Sequence, residues 1–272
     1  MFRLSFLSLF IFIFGLFIGS FLNCLIYRLE QKKSFLKGRS YCPHCKHILG
    51  FWDLIPLLSF IFLKGRCRYC SKKISWQYPL IELASGLIFF SIFSFLGFSD
   101  KSRAGVFSAA DFLTLVYYWL ICSFLVIVFV YDLKHYIVPD KVICPAILAA
   151  LIFNFWLLFS GHGAPFRYSI FSAFGAGLFF FLIVFLSKGK WMGAGDIKLV
   201  FLMGLFLGFP KILVALFFSF FLGAIIGIGL IIAQKKSLKS EVPFAPFLAA
   251  GTLFAMFFGG QVINFYLAAL GV

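Results

Sequence analysis

The sequence predicts an all-α polytopic membrane protein, with about eight transmembrane helices and a cytoplasmic loop of four cysteines between the first two. Three observations predict it. Hydrophobic residues make up 63% of the 272 positions and charged residues only 12%, and the mean hydropathy is +1.07. Apolar runs long enough to cross a hydrocarbon core recur along the chain. Its Lys and Arg residues gather in alternate loops.

Taken in order, the spans fall near 4–27, 79–98, 112–131, 142–160, 169–187, 197–209, 212–233 and 244–270. The first is about twice the length of a signal-peptide core and no small-residue cleavage site follows it, so it reads as a retained helix. The sixth is short and runs into Gly208, Pro210 and Lys211. That predicts a tilted or partly inserted helix, and a count of seven if it does not cross. With the N-terminus outside, nineteen of the 24 Lys and Arg residues fall on inner loops, eleven of them between Arg28 and Tyr78. Arg3, Lys101, Arg103, Arg167 and Lys211 remain outside. This asymmetry follows the positive-inside rule and directs both Asp132 and Asp196 to the cytoplasmic face. The net charge of +15 then suits anionic headgroups rather than nucleic acid.

The longest polar stretch, 28–78, holds CPHC (Cys42, Cys45) and CRYC (Cys67, Cys70), separated by 21 residues. Two such turns, each offering two thiolates, read as one tetrahedral zinc site. A cytoplasmic loop is kept reduced, which disfavours disulfides, and no βαβ pattern supports a redox pair. With four thiolates available, His44 and His47 are left to solvent. About 50 residues with few aliphatics cannot build much core, so metal binding is expected to supply the folding energy of the loop. Cys24, Cys122 and Cys144 read as packing residues.

Two acids sit where an apolar chain tolerates them least. Asp132 follows FLTLVYYWLICSFLVIVFVY, and Asp196 closes GAGD before IKLVFLMGLFLGF. An ionisable side chain at the edge of a bilayer core is a functional-site hypothesis by default. Asp132 ends a helix, where the dipole disfavours a carboxylate. Asp140, directly after Pro139, reads as the N-cap of the next helix, and capping is the plain alternative for Asp196. Gly193 and Gly195 permit positive φ and close backbone approach, as an extended peptide beside Asp196 requires. Two adjacent carboxylates do not both ionise easily, so such a pair shares a proton. The ionised member takes a proton from water and the protonated one polarises a carbonyl, which is aspartic-protease chemistry. Lys134, Lys198 and His135 read as interfacial.

These motifs together resemble the bifunctional type IV prepilin peptidases of bacterial pilus and type II secretion systems. The matching segments are GSFLNCLIYRL (19–29), RSYCPHC (39–45), WDLIPLLSF (52–60), GRCRYC (65–70), ISWQYPLIELASG (74–86), YDLKHYIVPD (131–140), GAGDIKL (193–199) and VPFAPFLAAG (242–251). They run in order from the first span to the last. The cysteine loop separates this chain from archaeal preflagellin peptidases and presenilin-like enzymes, which share the G-x-G-D element. The unusual features are a Phe-rich lipid-facing composition and a longer outer loop at 99–111.

The resemblance implies a multi-pass enzyme of the bacterial inner membrane. It would remove a short basic leader from prepilins or pseudopilins at the cytoplasmic face, then methylate the new N-terminus with S-adenosylmethionine. It implies catalytic roles for Asp132 and Asp196 and metal ligation by Cys42, Cys45, Cys67 and Cys70. It also implies two regions, a methyltransferase-associated 1–100 and a peptidase region 101–272. No Gly-rich nucleotide fingerprint marks a cofactor site. Glu82 and Asp53 are the remaining acids with a candidate role toward the cofactor or the α-amino group, though Glu82 could equally serve packing. Two other readings stand beside this one. An ion-coupled transporter could use Asp132, Asp196 and Glu82 as proton carriers, though no inverted repeat is visible. A non-enzymatic assembly factor could dock through the cysteine loop.

Overall fold

A computed structural model describes residues 6–33, 38–161, 163–189, 192–233 and 242–271. Arg3, Lys37, Lys190, Lys235, Lys236 and Lys239, all part of the charge asymmetry, lie outside the described residues. The elements are α1 (Phe6–Glu30), a 3-10 turn (Phe51–Leu54), α2 (Leu58–Phe62), α3 (Gln77–Phe95), α4 (Phe98–Arg103), α5 (Ala109–His135), α6 (Asp140–Phe159), α7 (Gly163–Ser187), α8 (Ala194–Leu207), α9 (Lys211–Ile232) and α10 (Ala245–Ala269). Among the described residues seven helices are long and apolar enough to cross a membrane: α1, α3, α5, α6, α7, α9 and α10. The sixth expected span is α8. Its 14 residues reach about 21 Å, short of a core of roughly 30 Å. Phe171, Phe185, Phe217 and Phe265 are exposed, as lipid-facing side chains are.

The chain divides into two compact units, one ending at Trp119 and the other beginning at Leu120. The division falls inside α5.

The first unit is organised by α1 against α3. Lipid tails are as apolar as leucine, so helices in a bilayer associate through close packing of small residues. Gly15 and Gly19, four apart on α1, provide that contact. A Cβ at Gly15 would lie 2.8 Å from the Gly86 Cα, and one at Gly19 would lie 2.7 Å from the Glu82 Cα. Asn23 Nδ2 donates to the Tyr78 carbonyl at 3.0 Å, and Trp119 stacks on Phe89 with ring centroids 4.9 Å apart.

The second unit repeats the device. Gly204 of α8 lies directly on the Ala173 backbone of α7, and Gly251 of α10 lies on Ser219 and the Ala215 carbonyl of α9. Buried Asn154 of α6 donates to the Leu205 carbonyl of α8 at 3.0 Å. These contacts hold α8 amid α6, α7, α9 and α10. Leu199, Val200, Met203 and Leu205 of α8 are almost fully buried. The short helix that carries Asp196 is thus enclosed by protein.

Candidate active site and metal centre

The second unit brings Asp132 and Asp196 together. Asp132 lies three residues before the end of α5 and Asp196 in the first turn of α8. They are 4% and 8% exposed, and their carboxylates are close enough to interact electrostatically. The unfavourable position of Asp132 on its own helix is offset from elsewhere. The Ala245 N–H, one of the unbonded amides at the start of α10, donates to its carboxylate. Asp132 Oδ2 is buried and has no hydrogen-bond partner among the described residues. Asp196 accepts from the Gly193 N–H, while its own N–H donates to the Gly193 carbonyl at 3.1 Å. It is therefore the third residue of α8, with Gly193 in the capping position.

Two expectations about neighbouring residues are corrected. Asp140 does not cap α6: it is the first residue of that helix, Pro139 precedes it as N-cap, and no side-chain capping bond forms. Instead Asp140 Oδ1 receives Lys198 Nζ at 2.6 Å, so Lys198 links the starts of α6 and α8 rather than acting only as an interfacial anchor. The glycines also act differently. Gly193 is extended at φ −77° and ψ 149°, and neither it nor Gly195 has a positive φ. A Cβ at Gly195 would lie 2.9 Å from the Val138 Cβ. Val138 belongs to the short link after α5, so this contact sets the spacing between the segments that carry the two acids.

We expect Gly195→Ala to lower proteolysis by about 10²-fold, since a displacement near 1 Å misplaces reacting groups. Val138→Ala in the same chain should restore most of the rate by making room. Wild-type turnover by Gly195→Ala alone, measured beside a thermal unfolding scan, would show that this contact does not control the site.

In the first unit the four loop cysteines converge. The Sγ atoms of Cys42, Cys45, Cys67 and Cys70 all lie within 4.8 Å of one another, with Cys42 and Cys70 3.9 Å apart. Bonds of about 2.3 Å to a tetrahedral ion put sulfurs roughly 3.8 Å apart, so the donor set fits one. Two turns of the same construction build it. Tyr41 bridges Ile48 around the first, where the Cys42 N–H donates to the His47 carbonyl and Lys46 N–H returns to Cys42. Arg66 bridges Lys73 around the second, where Cys67 donates to the Lys72 carbonyl and Ser71 returns to Cys67. Lys46 and Ser71, each after the second cysteine of its pair, both take positive φ (59° and 56°). His47 is not left to solvent alone. Its ring lies on Tyr69 with centroids 3.6 Å apart, joining one turn to the other. Of the remaining cysteines, Cys122 is buried near Met256, whereas Cys144 is exposed.

Asp53 and Glu82 each have protein partners. Asp53 pairs with Arg68 Nε at 2.8 Å and accepts from Gly50 N–H at 3.1 Å and Tyr69 O–H at 3.2 Å. It thereby ties the 3-10 turn to the second cysteine turn. Glu82 Oε2 accepts from the Leu57 N–H at 2.9 Å, and the Ser20 hydroxyl also bonds the carboxylate.

Comparison with known proteins places the chain in a family. Residues 13–96 match the bacterial peptidase A24 N-terminal domain, and residues 119–228 match the type IV leader peptidase family. A prepilin leader peptidase/N-methyltransferase of Bacillus subtilis is 33% identical, over 96% of this chain and 98% of its own length. The chain belongs to the prepilin leader peptidase/N-methyltransferase family. Other members with this description are 30% identical, in Burkholderia pseudomallei over 91% of this chain and 84% of the relative, and in Aeromonas salmonicida over 96% and 94%. No solved structure matches the chain. Family membership sets aside the transporter and assembly-factor readings. It also makes this a multi-pass protein of the bacterial inner membrane.

Sequence reasoning missed Val138, the Ala245 amide and the Asp140–Lys198 pair. Two of these had a weak local signal: VPFAP marks a helix start, and GAGDIK puts a lysine two residues past an acid; Val138 had none.

Proposed function

We propose that this enzyme removes the leader of type IV prepilins or type II pseudopilins at the cytoplasmic face and N-methylates the exposed residue from S-adenosylmethionine. The observation that carries the peptidase half is the buried meeting of Asp132 and Asp196. One shared proton lets the ionised carboxylate take a proton from water as its oxygen attacks the scissile carbonyl. The protonated partner donates to the carbonyl oxygen as charge builds there. Collapse of the tetrahedral species returns a proton to the leaving amine and breaks the C–N bond. The Ala245 and Gly193 amides hold the two carboxylates in place during these transfers.

Zinc is the ion we assign to the four cysteines, in a structural role. Methyl transfer is assigned to the N-terminal unit, and the methyl group is supplied by S-adenosylmethionine as a sulfonium. Glu82 and Asp53 are its candidate acids toward cofactor or α-amino group. Both already carry protein donors, so either reaches a ligand only through a remaining lone pair. An acid there would take a proton from the new α-ammonium before its nitrogen attacks.

The test is intact-mass spectrometry of a candidate prepilin incubated with purified full-length enzyme, with and without S-adenosylmethionine. Leader loss should occur in both, and one added methyl only with the donor. An intact prepilin after exhaustive incubation across substrates would overturn the assignment. Glu82→Gln keeps an acceptor for Leu57 but cannot take a proton. It should cut methylation by about 10²-fold, the lower range for a general base, with leader removal largely intact. Methylation at the wild-type level would end the catalytic role of Glu82, and loss of both activities would make it a support for the fold.

A further inference from the structure

Between the two cysteine turns runs FWDLIPLLSFIFL, residues 51–63, with a composition unlike the polar loop around it. Phe51, Trp52, Leu58, Ile61 and Phe62 are exposed, Phe62 by 79%. One hydrogen bond ties this segment to the membrane-spanning helices. The Leu57 N–H donates to Glu82, the sixth residue of membrane-spanning α3 and about 7.5 Å along its axis. Glu82 in turn packs on Gly19, the fourteenth of the 25 residues of α1. The segment is therefore joined to the helix pair within the apolar stretch of both helices, about one and a half turns into α3, rather than in the polar loop.

Its other properties match that depth. A bilayer offers no water to backbone groups, so each must be satisfied internally. Within the segment the amides of Ser59, Ile61 and Leu63 donate to the carbonyls of Ile55, Leu57 and Ser59, and that of Asp53 to Gly50. Leu57 itself, at the unusual φ of 59°, turns its amide to the Glu82 carboxylate. The one charged side chain, Asp53, is 4% exposed and matched by Arg68. Trp76, just before α3, rests on Phe60 with centroids 5.0 Å apart. Basic residues return immediately beyond the segment at Lys64, Arg66 and Arg68, as the anionic headgroup layer favours.

We infer that residues 51–63 form a re-entrant hairpin whose apolar side chains lie among the acyl chains of the cytoplasmic leaflet, held there by Glu82. The inference rests on the membrane assignment above. It gives the metal centre a lipid anchor. The first cysteine turn ends three residues before the hairpin and the second begins three residues after it, so both are kept at the membrane surface. A substrate entering from the bilayer would meet them there.

Photo-crosslinking tests this in the full chain, reconstituted in phosphatidylethanolamine–phosphatidylglycerol vesicles. The photoreactive residue p-benzoylphenylalanine replaces Phe62, Ile61, Lys72 or Phe185 in separate samples. Adducts are read by intact mass. Phe62 and Ile61 should yield phospholipid adducts about tenfold above Lys72, as acyl-chain contact requires. Glu82→Ala, which frees the Leu57 amide, should lower the Phe62 adduct several-fold, whereas Glu82→Gln should not. A Phe62 yield equal to that of Lys72 would overturn the hairpin. So would crosslinks from Phe62 that go only to a second copy, or only to added prepilin. Phe185, exposed on α7, separates the two layers of argument: without lipid adducts there, the membrane assignment itself has failed.

Discussion

Asp132→Asn and Asp196→Asn will each reduce leader cleavage by about 10⁴-fold or more, because general acid–base partners that act as one unit fail together. The double substitution should be little worse than either alone. Folding should survive both. Asparagine is close to isosteric, its oxygen can still accept from Ala245 or Gly193, and a neutral side chain is easier to bury than a carboxylate. Asp140→Asn is the contrast. Asp140 also faces a helix start, but its pair with Lys198 is largely exposed on both sides, and exposed ion pairs contribute only about 0–1 kcal/mol. Its cleavage rate should stay within a few-fold of wild type. The assay is conversion of a prepilin followed by mass, with circular dichroism and detergent-stable elution as folding controls. Substantial cleavage by either single asparagine variant would remove the dyad from the mechanism.

Purified enzyme should carry about one zinc per chain, and Cys42→Ser or Cys67→Ser should release it and open the loop to protease. The effect should be large for a physical reason. Cys42 and Cys67 are themselves among the few buried side chains of the loop, so without the ion little apolar area remains to oppose chain entropy. Zinc-dependent folding of comparable small modules is worth about 10–16 kcal/mol in apparent terms, more than the stacking of His47 on Tyr69 and the Asp53–Arg68 pair can replace. Chelation should reproduce the cysteine variants in the intact chain. Leader removal should fall less than methylation if the N-terminal unit carries methyl transfer. Elemental analysis and limited proteolysis are the measurements. Absence of zinc from reduced preparations never exposed to chelator would overturn the assignment.

How much of this was legible beforehand varies by element. The cysteine pairs were fully legible: a C-x-x-C turn is local, and one ion can join two of them across 21 residues without knowledge of the surrounding helices. Asp132 and Asp196 stood out because charge is rare in an apolar chain. Their immediate surroundings did not. The glycines of GAGD suggested room for a peptide, but Gly195 is small because Val138, 57 residues earlier, lies against it. Asp140 carried a sound capping signature, yet it entered the helix as its first residue and paired with Lys198.

From the amino-acid order alone came the class, the length of the spans, the short sixth helix, the four thiols and the two acids. These are properties of composition and of neighbours within a few turns, and hydropathy or spacing reports them directly. Tertiary structure decided which helix meets which, and with it the Ala245 amide on Asp132, the Leu57 amide on Glu82 and the enclosure of α8. The reason lies in the solvent. In water a helix shows its buried face as an apolar stripe; in lipid it is apolar all round, so the stripe that would name its partners is lost. Small residues and unbonded amides then choose the contacts, and these find their partners only once the chain has folded.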